Sequence, residues 1–279
     1  MYIREYYLPV LKKLSVVIAT LNEEKNIADC LKSVKGLADE IIVVDASSQD
    51  KTREIAKKWR AKVYKIKNYP IFHKNKQIAV DKAKGEWVLQ LDADERISPA
   101  LASEILSVTS HQSPATSNGY FIPRKNLFLG KFLTKGGQYP DYVIRLFKKG
   151  KGEFPCKSVH EQIEVDGAVG YLKNPIIHLA DPCFSRYLSR FNRYTTLDAQ
   201  KLARQKKKPG FLMGFDYFIV KPTVWFLKTY FRHKGFVDGF QGFLFSLFSS
   251  LRFPIIYMKF WEVTSESSKG RKSRKGRKR

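Results

Sequence analysis

Cysteine is scarce in this chain: Cys30, Cys156 and Cys183 are the only three among 279 residues. They are too few and too far apart for a disulfide framework or a zinc-ligand pair, and their scarcity fits a reducing compartment. Acid is short as well. Asp and Glu number 26 against 51 Lys and Arg, which leaves a net charge of +25. The deficit is sharpest at the end, where Lys269 to Arg279 hold eight basic residues and no acid. Such a balance calls for an anionic partner: membrane lipid, nucleic acid or a phosphorylated substrate. Long uninterrupted apolar runs are also missing. The longest charge-free stretch of the C-terminal region is Gly239 to Leu251, thirteen residues. A spanning helix takes about twenty, so no transmembrane segment is expected. Met1 to Lys13 offers no apolar stretch of the length a secretory signal uses, so no leader is expected either. There is no internal repeat.

What is present is enough apolar material for a core, 43% of residues, in an alternating pattern over the first ninety or so positions. Leu14 to Thr20 is a short apolar run that reads as a buried strand. Asn22 then stands where a helix cap belongs, and Ile27, Leu31 and Val34 fall on one face of a helix from Glu23 to Val34. Glu40 to Asp45 is a second strand, and Ser48 and Asp50 start a helix carrying Ile55 and Trp59. Lys62 to Ile66 is a third strand. Lys74 to Lys84 reads as a helix with Ile78 and Ala79 inward, ended by Gly85, and Glu86 to Leu91 is a fourth strand. This rhythm predicts an α/β fold with parallel strands and right-handed crossovers. After Pro99 it changes to a helix, a polar loop from Ser110 to Asn118, and strands at Gly119 to Arg124, Tyr142 to Phe147, Ile163 to Val165 and Pro175 to His178. From Phe184 the chain is helical, aromatic and basic.

Sheets of this kind bind ligands at the carboxyl ends of their strands. Three polar clusters sit at such ends: Thr20-Leu21-Asn22-Glu23, Asp45-Ala46-Ser47-Ser48 and Asp92-Ala93-Asp94. The last is the most telling. Strand alternation sets Asp92 and Asp94 on one side, with Ala93 small enough for a ligand to approach. Two carboxylates so placed suit Mg2+ or Mn2+, which keep waters and share phosphate oxygens. A solvated acidic turn is the bland alternative. Asp45 either caps the following turn or accepts a hydrogen bond from a nucleobase; spacing serves both equally. Lys74, Lys76 and Lys82 read first as a solvated face, although Phe72 to Gln77 enters its helix at the end suited to anions.

With these residues in hand, the chain resembles a family-2 glycosyltransferase of the GT-A fold. The resemblance rests on Ser15 to Glu24, Ile41 to Thr52 and Gly85 to Glu95. Within that family it is similar to bacterial lipopolysaccharide-core glucosyltransferases, through Asp92-Ala93-Asp94-Glu95, Val159-His160-Glu161 and the basic aromatic tail. It implies a Rossmann-like nucleotide-sugar-binding domain with a mixed sheet, followed by a C-terminal helical extension. It further implies that Thr20, Asn22, Glu23, Asp45, Ser47, Lys76, Asp92 and Ala93 bind the nucleotide, and that Asp92, Asp94 and His178 hold the metal. Gly136 and Gly137 match a glycine-containing acceptor loop. Glu161 falls where the family has its catalytic carboxylate, and His160 either orients it or touches phosphate. The family's Lys-Asn pair reads Lys76-Gln77 here.

The residues by themselves say less about this second half. Asp141, close behind the glycine loop, rivals Glu161 as the base. A lone histidine such as His178 at an apolar strand end is ordinarily a core residue. One base, one metal and no second nucleophilic carboxylate make the inventory of an inverting transferase. A hydrolase needs a separated acid and base, and the Asp-Ala-Asp pair is too close for that.

The region from Phe211 to Trp261 is dense in aromatics broken by Lys and Arg, a pattern suited to helices in a membrane interface. The polybasic end adds attraction to anionic lipid. The expected organisation is a catalytic domain over 1–182, a membrane-associating extension over 183–262 and a disordered tail over 263–279. The expected partners are a nucleotide-sugar donor, a lipid-linked or phosphorylated saccharide acceptor and an anionic membrane surface, the cytoplasmic face of a bacterial membrane. Nucleic acid is not expected, because no recognised module accompanies the basic residues. Nucleic-acid binding and an inactive transferase-like scaffold are the competing classes.

Overall fold

The computed structural model describes residues 13–110, 117–156, 162–205 and 207–276, those beyond 265 as backbone only. The chain divides into two compact units. One comprises residues up to Arg124 together with Asp141–His178; the other comprises Lys125–Pro140 and everything from Leu179 onward. The split differs from a single boundary at 182, because the segment that leaves and re-enters the sheet between Arg124 and Asp141 belongs with the C-terminal helices.

The first unit is built on a mixed sheet. Strands β1 (Leu14–Thr20), β2 (Glu40–Asp45), β3 (Lys62–Lys65) and β4 (Trp87–Asp92) are parallel in the order β3-β2-β1-β4. Helices α1 (Ile27–Ser33), α2 (Thr52–Lys58) and α3 (Phe72–Asp81) make the crossovers. After β4 the chain turns into a short strand, β5 (Glu95–Ile97), and helix α4 (Pro99–Thr109). Ser98 caps α4 by accepting from the Leu101 backbone N–H at 3.2 Å. Strand β6 (Gly119–Phe128) makes a short hairpin with β7 (Lys131–Phe132). Strand β8 (Asp141–Lys148) then runs antiparallel to both β4 and β6. A two-stranded ribbon pairs β9 (Gly152–Glu153) with β10 (Glu164–Val165). Strand β11 (Val169–Tyr171) joins β6, and β12 (Ile176–Asp181) pairs with β5.

Both faces of the central strands are buried, which is why they read as continuous apolar runs. Val16, Ile18, Val43, Leu89 and Leu91 face α1 and α4, meeting Ile27, Leu31, Leu101 and Ile105. Val17, Ile42, Val44 and Val88 face α3 through Ala79 and Val80. Two local expectations need correction. Asn22 does not cap α1: it sits in the left-handed region at φ 56°, and the helix starts later, behind Asn26. Gly85 does not end α3, which stops at Asp81. Gly85 is instead pressed against β1, where an added Cβ would lie 2.7 Å from the Ser15 backbone nitrogen.

The second unit is helical. Helix α5 (Phe184–Arg204) is followed by a continuous helical stretch made of α6 (Phe211–Phe215), a π-helical segment (Asp216–Val220), α7 (Lys221–Phe226) and a second π segment (Leu227–Arg232). A tight turn and a 3-10 segment (Gly235–Asp238) lead to α8 (Gly239–Gly276). Thus α8 runs on through residues expected to be disordered. The stretch Gly235–Ser265 is also long and apolar enough to cross a membrane by length and composition, contrary to expectation. Counting only charge-free residues underrated it, because the run that starts at Gly239 was cut at Arg252 although apolar residues continue beyond it; the Arg252 guanidinium lies 4.4 Å over the Trp225 ring and 4.8 Å over that of Phe253.

Candidate active site

The sheet sets the ends of β1, β2 and β4 side by side, with Thr20 opposite Asp45 and Ala19 opposite Asp92. Asp45 is fully buried there. Its Oδ1 accepts from the Ser48 backbone N–H (2.9 Å) and from Arg53 Nη1 (2.8 Å). Its Oδ2 accepts from Thr20 Oγ1 (3.2 Å) and from Ser48 Oγ. A carboxylate has about four lone-pair sites, so these donors fill it. Of its two expected roles, turn capping is the one on display, and Arg53 is a partner that sequence reasoning missed.

The same network ties the loop after β1 to the loop after β2. The Asn22 N–H donates to Ser48 Oγ and Asn22 Oδ1 accepts from the Gln49 N–H, both at 2.8 Å. The Glu23 N–H donates to Thr52 Oγ1 at 2.8 Å, and Glu23 Oε2 accepts from Asn26 at 2.7 Å. Ser47, at φ 65°, donates its hydroxyl to the Ile66 carbonyl at 2.7 Å. Asn22 and Ser47 therefore hold left-handed backbone on a rim whose hydrogen bonds are already made, a preorganised cradle rather than a loose loop.

Asp92 ends β4 with its carboxylate between two cations. Lys76 Nζ lies 2.5 Å from Oδ1 and Arg145 Nη2 lies 2.8 Å from Oδ2. Arg145 projects from β8, also bonds Glu95 Oε1 at 2.7 Å, and donates to the Gln90 side chain. Glu95 Oε2 in turn accepts the Asp92 backbone N–H at 2.9 Å. Burial works to raise the Asp92 carboxyl, but Arg145 and Lys76 outweigh it and hold it well below the usual carboxylate range. Burial pulls the Lys76 ammonium down, against the pull of Asp92. Burial also opposes the charge on Arg145, yet Asp92 and Glu95 raise it further. Arg145 and Glu95 were not assigned from sequence. The available signal was a lone Arg inside the apolar run Tyr142–Phe147, a residue type that enters a buried strand only when paired.

Asp94 lies past a turn. Strand alternation therefore does not relate it to Asp92, because β4 ends at Asp92 and the chain reverses before β5. Pairing of β5 with β12 sets His178 opposite Glu95, one residue beyond Asp94. His178 Nε2 and Asp94 Oδ1 are 3.7 Å apart. That is too long for a hydrogen bond, but two ligands at about 2.1 Å from one ion reach up to about 4.2 Å from each other. Of the three expected metal ligands, the structure thus pairs Asp94 with His178 and gives Asp92 to Lys76 and Arg145. Among the described residues no three His, Cys, Asp or Glu side chains form a ready cage. A carboxylate and an imidazole still fit Mg2+ or Mn2+ that shares phosphate oxygens, since such ions take only one or two protein carboxylates.

Asp141 opens β8 and is gripped by Arg124, whose Nε and Nη2 approach Oδ2 at 3.0 and 2.7 Å. Glu161 and His160 lie outside the described residues. Gly136 and Gly137 belong to the second unit; both have left-handed backbone, at φ 66° and 74°, which favours glycine. The Gly136 N–H donates to the His233 carbonyl at 2.9 Å.

Comparison with known proteins places this arrangement. The glycosyl transferase family 2 model matches residues 15–155, and the chain belongs to that family. A curated but uncharacterized glycosyltransferase of Rickettsia typhi is 31% identical over 255 residues, covering 87% of this chain and 85% of the relative. The lipopolysaccharide core biosynthesis glycosyltransferase LpsC of Rhizobium meliloti is 27% identical over 237 residues, covering 83% and 85%. Among solved structures, S. aureus TarS 1-349 in complex with UDP aligns over 92% of both chains, with a TM-score of 0.45 and 17% identity. The α/β sheet with its C-terminal helices is of the GT-A type that the sequence led us to expect.

Proposed function

We propose that this member of glycosyl transferase family 2 moves a hexose from a uridine diphosphate sugar to a saccharide of the cell envelope, with inversion at the anomeric carbon. The observation that carries the reading is the Asp94–His178 pair standing beside the paired Asp92, at the strand ends where such sheets bind ligands. The rim formed by Thr20, Asn22, Glu23, Asp45 and Ser47 receives the nucleoside, and Asp45 acts by holding the two loops in register. Asp94 and His178 would hold the divalent ion, which when bound would neutralise charge on the diphosphate. Lys76 and Arg145 supply positive charge to the same diphosphate while keeping Asp92 ionised.

In the transfer itself, Glu161 accepts the proton of the acceptor hydroxyl. The freed oxygen attacks the anomeric carbon from the face opposite the diphosphate, the glycosidic bond forms, and the bond to the diphosphate oxygen breaks with its electron pair leaving on UDP. Asp141, engaged by Arg124, is the less available base. The acceptor is a saccharide on a lipid carrier or a phosphorylated core. The name of the LpsC relative supports this, and so does the excess of Lys and Arg. The enzyme works on the cytoplasmic face of the membrane, attached through its C-terminal helices and basic tail.

The test is turnover of candidate sugar nucleotides with Mn2+ and a membrane extract as acceptor. Release of UDP from one donor, abolished by Glu161→Gln without loss of UDP binding, is the expected result. Failure of every nucleotide sugar to turn over would overturn the reading.

A further inference from the structure

The second unit exposes hydrocarbon where proteins ordinarily hide it. Along 211–232, Leu212, Phe215, Ile219, Val224, Leu227 and Phe231 are each about half exposed or more, from 49% to 82%. They recur at steps of three, four, five, three and four residues. The mean repeat exceeds 3.6 because two π segments widen the helix, and the exposed positions follow that wider turn. At the tip, Phe236, Val237 and Phe240 continue the surface, at 48%, 53% and 69% exposed. An apolar surface of this extent marks an interaction site.

The other side of this arm packs on α8 as an antiparallel hairpin. Tyr217 meets Phe253 and Tyr257, Trp225 meets Phe253, and Phe226 meets Phe243. Helix α8 in turn lies along α5. Phe248 touches Phe184 and Tyr187, Lys259 Nζ donates to the Asn192 carbonyl and Thr195 Oγ1 at 2.8 Å, and Phe260 and Ile256 pack on Ala199. The far side of α5 is polar, with Ser189, Arg190, Arg193, Lys201 and Arg204 exposed. Exposed surface thus runs in order from charge on α5 to hydrocarbon on the outer face of the arm, and α5, α8 and the arm share an apolar groove lined by Leu188, Phe218, Met258 and Trp261.

That order bears on how the apolar helix meets a membrane. Were α8 to span, it would draw the charged α5 into hydrocarbon along its length, which is strongly disfavoured. Laid flat, the unit puts α5 toward water and the exposed stripe of 211–232 toward lipid. An arm of 22 residues is about 33 Å long, enough for a broad interfacial contact. Its charges suit that placement: Lys221 pairs with Asp216 at 2.7 Å and lies 3.6 Å over the Tyr217 ring, and Lys228 lies 5.3 Å over Trp225.

We infer that residues 211–240 form an in-plane lipid-docking surface, seated in the interface of an anionic membrane without crossing it, and that its tip carries the glycine loop. Asp238 makes the link. Its carboxylate accepts from the Thr134 and Lys135 backbone N–H groups (2.9 and 2.8 Å) and from Thr134 Oγ1 (2.8 Å), and its carbonyl accepts from Lys131 Nζ (2.8 Å). With the His233 carbonyl on the Gly136 N–H, the loop 134–137 is bonded to the segment that meets lipid. The inference deepens the proposed function, on which it rests for the role of the loop: a lipid-borne acceptor would be met at headgroup depth.

The test uses the full chain. Flotation with vesicles of equal parts phosphatidylglycerol and phosphatidylcholine should show binding, and Leu227→Ser/Phe231→Ser should lower the partition coefficient roughly tenfold or more. Both changes are at exposed positions, so retained UDP binding or an unchanged melting temperature verifies the fold. Unchanged partition would overturn the docking surface. Val237→Cys, probed in intact spheroplasts with a membrane-impermeant maleimide in a chain whose Cys30, Cys156 and Cys183 are replaced by Ser or Ala, should stay unlabelled from outside and react after lysis. Labelling from outside would show a spanning hairpin and overturn the in-plane placement. Neither readout depends on sugar transfer, so absence of turnover in a protein that docks would sink the proposed function and leave the docking surface standing.

Discussion

The two units break the usual rule of burial in opposite directions. At the strand ends of the first, charge is buried: Asp45 and Glu95 are wholly enclosed, and Arg145 is nearly so. On the helices of the second, hydrocarbon is exposed, with Phe211 at 87%. Buried polar groups and exposed apolar patches are the informative exceptions in a folded protein. Each exception here carries one of the two proposals: enclosed, paired charge at a sheet edge is proposed to meet a phosphorylated nucleotide, and exposed aromatic helix to meet lipid. The contrast also separates how each region is held. Fixed hydrogen bonds define the first site before any ligand arrives. The second surface leaves its apolar side chains uncovered by the rest of the chain.

Removing the buried charge should have the largest effect. Arg145→Met strands Asp92 and Glu95 without their shared partner, and should cost about 3–5 kcal/mol. Urea unfolding measures it, and a loss within error would mean that the network is not what organises the edge. Next in size, Asp94→Asn should weaken Mn2+-dependent UDP binding by about a hundredfold while leaving stability nearly unchanged. Equal loss in the presence and absence of Mn2+ would assign Asp94 to the nucleotide rather than to the ion.

A third effect comes from pH. The Asp92 carboxyl titrates well below its ordinary value of 3.8 in the folded protein. Its contribution is therefore present above that value and is lost as pH falls through the depressed one. Acid unfolding should steepen below about pH 4, and Asp92→Asn should flatten that limb. An identical acid limb would contradict the assignment. A fourth effect lies in the other unit. Deleting Lys269 to Arg279 should reduce the preference for anionic over neutral vesicles and flatten its salt dependence, by at most about 1 kcal/mol per charge near the surface. Deletion should leave attachment through the exposed stripe in place, and complete loss of binding would show that charge alone holds the protein to lipid.

Much of the first unit was legible because a buried parallel strand writes itself as an apolar run. β1, β2 and β4 were each visible to within a residue or two, and so were the polar clusters at their ends. What escaped has physical causes. Asn22 has the composition of a cap but the backbone of a left-handed turn, and only the tie to Ser48 and Gln49 explains why. Arg145 is 53 residues from Asp92, and no local pattern announces a long-range ion pair. β5 is three residues long, below what periodicity detects, so the turn between Asp92 and Asp94 was invisible and strand alternation was wrongly extended through it.

The second unit was harder to read for a different reason. A helix rich in Phe, Tyr and Trp reads the same whether its rings face a core or a bilayer. The stripe from Leu212 to Phe231 separates the two only once packing shows which rings α8 covers. A helix apolar enough to cross a membrane was likewise hidden by Arg252, whose charge is spread over two aromatic faces. Glu161 and His160, assigned on resemblance alone, lie outside the described residues.

The central claim is that the enclosed edge of the first unit is a nucleotide site completed by a divalent ion. Isothermal titration of the folded chain with UDP, with and without Mn2+, addresses it directly. UDP should bind, more tightly by a wide margin when Mn2+ is present, and fall back in Asp94→Asn. Folded protein that binds no UDP with or without Mn2+ would contradict it.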